Sequence, residues 1–276
     1  METMKKTMKF YLSDLRDLRA CPDEYEWAEK TALTHGRDYV VPEDFENVNW
    51  LAWCYSRAAC LFPDYRYTPR LIDGLIDTED AEWIARALCR LPDSRYDPLL
   101  IDALIDTGDA EWLTWAACEL PDSRYTTCLL DALINTEDAE WIAMAAYLLP
   151  DARYDPCLLD TLIDIGDAVE IAKVSYWLPD ARYDPRLIDA LIEIGDAEDI
   201  EGAACRLPDS RYDPRLLDAL IDTGDIWWIV WAACELPDSR YDPRLLDAVI
   251  KTGDVGWVKW AEHWLPDERK AKLETL

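Results

Sequence analysis

Between residues 63 and 266 the pattern of apolar and polar positions returns to phase every 29 residues, with no insertion or deletion. Proline marks the phase, at Pro63, Pro92, Pro121, Pro150, Pro179, Pro208, Pro237 and Pro266. Asp follows each of them, and Arg stands three residues after each, from Arg66 to Arg269. In the block that opens at Pro208, Leu216, Leu217, Leu220 and Ile221 fall at i, i+1, i+4 and i+5, one apolar face of an α-helix. Asp213 stands where an N-cap belongs, and Pro214 suits the first helical position, which needs no N–H. Gly224 closes this helix A as a left-handed residue. Asp225 caps a helix B that runs to about Leu236, where Pro237 stops it. Helices of about eleven residues are too short to be stable alone, so neighbouring hairpins must supply the core. The expected fold is all-α, an α-solenoid of seven 29-residue helix-turn-helix repeats with an N-terminal helical cap.

Residues 1–62 fall outside the repeat and read as a capping region. Ser13 is expected to cap a short helix through Ala20, Pro22 to start a second through about Thr34, and Pro42 to open a third over Glu43 to Cys60. That third helix ends in Arg57-Ala58-Ala59-Cys60, as helix B ends in Ala116-Ala117-Cys118, and reads as a degenerate helix B that closes the stack. The repeats fill 63–266, and 267–276 reads as a charged C-terminal cap or tail.

Composition narrows the setting. Half of the residues are hydrophobic, enough for a core. Lys5 and Lys6 precede an apolar run that Ser13 and Asp14 break, so no secretory signal is read and no stretch approaches a membrane span. Cys89, Cys118, Cys205 and Cys234 share one repeat position and read as small buried hydrophobes spaced too far apart for disulfides. A reduced, cytoplasmic setting fits.

The net charge of −29 argues against direct binding to nucleic acid or an anionic membrane. Three Asp columns have structural readings: those of Asp213 and Asp225 as helix caps, and that of Asp209 as a turn residue expected to pair with the Arg211 column beside it. Two others do not. Asp218 and Asp222 lie at i and i+4 on helix A, opposite its apolar face, with equivalents at Asp73 and Asp77, Asp102 and Asp106, Asp160 and Asp164, and Asp189 and Glu193. Like charges at that spacing destabilise a helix slightly, and they would stack against the same charges one repeat on. Either they are a solvated face, or they form an acidic ridge that meets a basic partner. Hairpins at roughly 10 Å each would make a rod of about 70 Å. The net charge then falls at one per roughly 2.4 Å, near the one per about 1.7 Å of duplex DNA.

Helix B varies between copies at three positions spaced i, i+4, i+8. The first column is Glu82, Glu111, Glu140, Val169, Glu198, Trp227 and Gly256; the second is Arg86, Trp115, Met144, Lys173, Gly202, Trp231 and Trp260; the third runs from Arg90 to Trp264. A core stripe would not exchange Arg, Gly and Trp, so this stripe is read as exposed, and Trp115, Trp177, Trp231, Trp260 and Trp264 as partner-binding residues. Packing between layers or against a dimer mate is the alternative. The fixed column of Trp83, Trp112, Trp141, Trp228 and Trp257 reads as core, and the fixed Tyr column from Tyr67 to Tyr241 as packing between repeats.

Catalytic signatures are missing. His35 and His263 are far apart, and no phosphate loop, His-Glu-x-x-His or Cys-x-x-Cys occurs. Carboxylate pairs recur in every copy, whereas a catalytic pair is singular. Asp106-Thr-Gly-Asp109-Ala-Glu111 lacks the alternating ligand spacing of a helix-loop-helix calcium site. Neither a cofactor nor a metal is expected.

The Thr68-Pro69 and Asp97-Pro98 starts of helix A, with Gly-Asp-Ala-Glu before helix B, resemble ankyrin and related helical repeats over residues 64–266, in architecture only. The unit departs from ankyrin in its length, its longer helix A and its lack of a β-hairpin finger. The resemblance implies protein binding. Leu15-Arg-Asp-Leu-Arg-Ala-Cys21, with Glu26-Trp27 and Trp50-Leu51-Ala52-Trp53, is similar to the start of uncharacterised proteins of bacteria and their phages, and implies such an origin without an activity. The functional expectation is a non-enzymatic acidic solenoid that docks on a basic protein surface. In its sharpest form it is a phage DNA mimic that blocks a nucleic-acid-binding bacterial defence protein. The competing expectation is a structural scaffold or homodimer built through the aromatic stripe.

Overall fold

The computed structural model describes residues 8–64 and 66–270. The chain is all-α, apart from one short antiparallel pair, β1 (Phe10–Tyr11) with β2 (Tyr39–Val40). It forms two compact units, Met1–Thr136 and Glu137–Leu276.

The first unit holds α1 (Leu12–Asp17), α2 (Pro22–Thr34), α3 (Val48–Leu61), α4 (Arg70–Ile76), α5 (Ala81–Arg90), α6 (Leu99–Thr107), α7 (Ala110–Glu119) and α8 (Cys128–Asn135). Helices α3, α5 and α7 pack side by side in one layer, and α4, α6 and α8 in a second. The second unit holds α9 (Ala139–Leu148), α10 (Cys157–Ile165), α11 (Ala168–Trp177), α12 (Arg186–Ile194), α13 (Ala197–Arg206), α14 (Arg215–Thr223), α15 (Ile226–Glu235), α16 (Arg244–Lys251), α17 (Val255–Trp264) and α18 (Asp267–Lys270). There α9, α11, α13, α15 and α17 form one layer, with α12, α14 and α16 alongside in the other.

The local signals act as the sequence suggests. The Asp213 carboxylate accepts from the Arg215 N–H at 2.9 Å, and that of Asp225 accepts from the Trp227 N–H at 3.1 Å. Gly224 has φ +71°, the left-handed end that glycine tolerates. At the same place after α4, Glu79 holds φ +54° without that freedom. Of the predicted apolar face, Leu216, Leu217 and Leu220 are buried between the layers and Ile221 is half-buried; Ile229 and Val230 of α15 are buried with them.

Of the N-terminal helices, α2 runs from Pro22 to Thr34 as expected, while the first and third differ from expectation. The first begins at Leu12, and Asp14, not Ser13, accepts from the Tyr11 N–H at 3.3 Å. Pro42 opens only a short 3-10 turn to Asp44; the third helix waits for Asn47, whose amide oxygen caps Asn49 and Trp50. The Val41 N–H donates to Asp44 at the start of that turn, and extended Phe45 separates the turn from the third helix.

The Asp and Arg columns of the turn do pair, but one repeat apart: Arg95, Arg124, Arg182, Arg211, Arg240 and Arg269 each meet an Asp 31 residues earlier, as Arg211 meets Asp180, Arg240 meets Asp209 and Arg124 meets Asp93. Arg211 also donates to the carbonyls of Ser175 at 3.0 Å and Leu178 at 2.7 Å, and lies 4.7 Å over the Tyr183 ring. The repeated proline explains the first bond. Ser175 lies four residues before Pro179, which has no N–H for the α-helical hydrogen bond, and the arginine of the next hairpin supplies the donor. Arg95, Arg124, Arg182, Arg240 and Arg269 likewise reach the carbonyl four residues before a proline. Arg66 has no earlier hairpin and instead pairs with buried Asp14 of the N-terminal cap. Within each unit the Tyr column packs between hairpins, with the rings of Tyr67, Tyr96, Tyr154, Tyr183, Tyr212 and Tyr241 under the arginine of the next one.

Candidate partner-binding surface

All ten helix-A acids singled out from the sequence are exposed: Asp73, Asp77, Asp102 and Asp106 in the first unit, and Asp160, Asp164, Asp189, Glu193, Asp218 and Asp222 in the second. Their charges are not equally free. Arg186, Arg215 and Arg244 begin helices α12, α14 and α16, and each reaches back to an acid of the preceding helix A. They meet Asp160 at 2.7 Å, Asp189 at 2.8 Å and Asp218 at 2.6 Å. Each also binds the capping Asp two residues before it, and these carboxylates hold the guanidinium pKa values above their ordinary range. The expected stacking of like charges is replaced there by alternating charge. In the first unit Leu99 and Cys128 stand where those arginines would, so Asp73 and Asp102 lack these cross-links.

Helix B presents the aromatic residues. Trp264 is 60% exposed, Trp177 45% and Trp231 38%, while Trp115 and Trp260 are half-buried. Trp115 packs edge-on against Trp112 at 5.6 Å in the first unit. In the second, Trp231 stacks on Trp227 at 6.2 Å and on Trp260 at 6.4 Å, and Trp260 meets Trp264 at 6.2 Å. Trp177 stands apart, against Tyr176 and Tyr147. The fixed Trp column is half-buried throughout, not core, with Trp257 joining the cluster at 5.8 Å from Trp227. The cysteine column is also half-buried, and burial pushes the Cys234 thiol up to about 11.

Between Trp231 and Lys173, the equivalent position of α13 is Gly202. Its missing side chain opens a groove of about 550 Å³ across α11, α13 and α15. Lys173 and Tyr176 line one wall, and Trp227 and Trp231 the other. Glu198, Asp199 and Glu201 from α13 add carboxylates. Burial, together with Asp196, Glu198 and Asp167, pushes Asp199 up to about 6. Buried Glu201 is raised by desolvation, opposed by a 3.0 Å bond from the Cys205 thiol. Sequence reasoning placed Gly202 and Trp227 on the variable stripe but did not see a groove, because a groove depends on the neighbours of the missing side chain. Asp199 and Glu201 lie between the columns that vary.

His35 sits 3.9 Å from Asp44, and His263 packs against Trp264, in different units. Among the described residues no group of three His, Cys, Asp or Glu side chains is placed to hold a metal ion, and no helix is long and apolar enough to cross a membrane. No protein-family model, no curated protein and no solved structure matches the chain.

Proposed function

We propose that this chain is a non-enzymatic α-solenoid of seven 29-residue hairpins that acts in the cytoplasm by binding a basic segment of a partner protein. One observation carries the reading: on the helix-B layer of the second unit, exposed tryptophans and carboxylates line the same groove. Aromatic anchors beside an excess of acid match a cationic protein surface and repel nucleic acid. The arginine clasp, repeated at one register in both units, supports the solenoid. Free thiols at Cys21, Cys54, Cys60, Cys128, Cys157, Cys205 and Cys234 support a reduced compartment.

The narrower reading, a phage DNA mimic against a nucleic-acid-binding defence protein, draws on the first-unit acids Asp73, Asp77, Asp102 and Asp106. It is weakened in the second unit, where arginines cross-link alternate acids. The scaffold reading draws on Trp264 and its neighbours, which suit a homodimer contact. Titration against a basic DNA-binding protein, with duplex DNA as competitor, separates these. The proposal expects binding that weakens at least tenfold between about 50 and 500 mM salt, and no binding of DNA itself. Salt-insensitive association, or DNA binding, would reject it. Sedimentation of a dimer that Trp264→Ala dissociates would put the scaffold in its place.

A further inference from the structure

We infer that the α11–α13–α15 groove is a subsite for the guanidinium or ammonium side chain of an extended basic peptide. The inference rests on the protein-binding reading and names where its partner's cation goes. Trp227 and Trp231 lie nearly parallel, with 15° between their planes, and both line the groove. Aromatic faces attract cations, arginine most often. Four carboxylates line the same groove, on Asp196, Glu198, Asp199 and Glu201, against two cations, Lys173 and Arg206. Lys173 is already held by Glu170 at 2.6 Å, and Arg206 lies 3.5 Å from the Tyr176 hydroxyl. The acid on α13 therefore outweighs its local partners, in a groove whose other wall is apolar.

Gly202 gives the groove its depth. A Cβ placed there meets nothing within 4 Å, and no backbone angle demands glycine. Helix α13 would gain propensity from any other residue but proline, so the glycine costs stability while keeping the groove open. Filling it is thus a structurally mild way to close the subsite.

The probe is a fluorescein-labelled alternating Arg-Gly octapeptide, with its citrulline counterpart as an uncharged control of the same shape. Wild-type protein is expected to bind the Arg peptide at low salt, with quenching of tryptophan emission, and to bind the citrulline peptide at least tenfold more weakly. Gly202→Phe and Trp231→Ala should each lower the affinity about tenfold, the equivalent of about 1.4 kcal/mol. Asp199→Asn should lower it less and flatten the salt dependence. Circular dichroism checks that each variant is folded, and Trp231→Ala decides the matter if Gly202→Phe is not. If wild type binds the Arg peptide and neither variant weakens it, the subsite is wrong while the basic-partner reading stands. If wild type binds neither peptide, both fall. Equal binding of the citrulline peptide overturns the cation subsite alone.

Discussion

Truncating the two halves of one ion pair should have unequal effects on stability. Arg211 is buried and pairs with Asp180, whose side chain is 85% exposed. Its two bonds to the Ser175 and Leu178 carbonyls are charge-assisted, each contributing about 1.5–3 kcal/mol. The contact with the Tyr183 ring adds about 1–2 kcal/mol. Arg211→Met relieves the desolvation of the guanidinium but leaves the two carbonyls short of a donor, at about 1–3 kcal/mol each. The expected net loss is about 3–5 kcal/mol. Asp180→Ala removes only an exposed carboxylate and should cost about 0–1 kcal/mol. Urea denaturation of the whole chain, followed by far-UV circular dichroism and by tryptophan emission, measures both. Repeat arrays need not unfold in one step, so the comparison uses the transition that Arg211→Met moves. Similar losses in the two variants would show that the ion pair is the source of the stability. A loss below 1 kcal/mol for Arg211→Met would refute the clasp altogether.

Three further outcomes follow from the geometry. Asp199 is raised from 3.8 to about 6, so the folded state holds its proton more tightly than the unfolded chain, and stability is lost as pH rises through this window. Asp199→Asn should therefore stabilise the protein at pH 7, by no more than about 1 kcal/mol after solvent screening, and the gain should vanish near pH 4 in a pH series of urea midpoints. Gly74 stands where other copies of helix A carry Ala or Thr, and a Cβ there would lie 2.4 Å from the Tyr55 ring, so Gly74→Ala should cost about 1–3 kcal/mol in thermal melts, with Tyr55→Ala removing the clash. Glu79→Gly should gain about 0.5–1 kcal/mol, because Glu79 occupies a left-handed position that glycine holds after α6; destabilisation would point to a contact of the Glu79 side chain.

Much of this protein was legible along the chain because its elements are local. A cap, a 3.6-residue apolar period, a left-handed glycine and a proline stop are set by neighbours a few residues apart, and these predicted helix pairs such as α14 and α15 to within a residue or two. Repetition made the reading robust, since each signal recurs. The N-terminal region lies outside the exact repeat, and there the starts of the first and third helices were misplaced, while Pro22 marked that of the second. What joins one hairpin to the next was beyond local signals. The prolines announced a carbonyl without its donor, but that the donor is an arginine 36 residues later depends on helix packing. The acidic ladder was visible as a pattern, while its partial neutralisation was not, because Arg186, Arg215 and Arg244 meet acids 26 residues away. Gly202 shows the division most plainly. The chain alone shows that one position of helix B varies among arginine, tryptophan, methionine, lysine and glycine. That the glycine opens a groove between Lys173 and Trp231 follows from helix packing, because a cavity is shaped by the side chains around a gap.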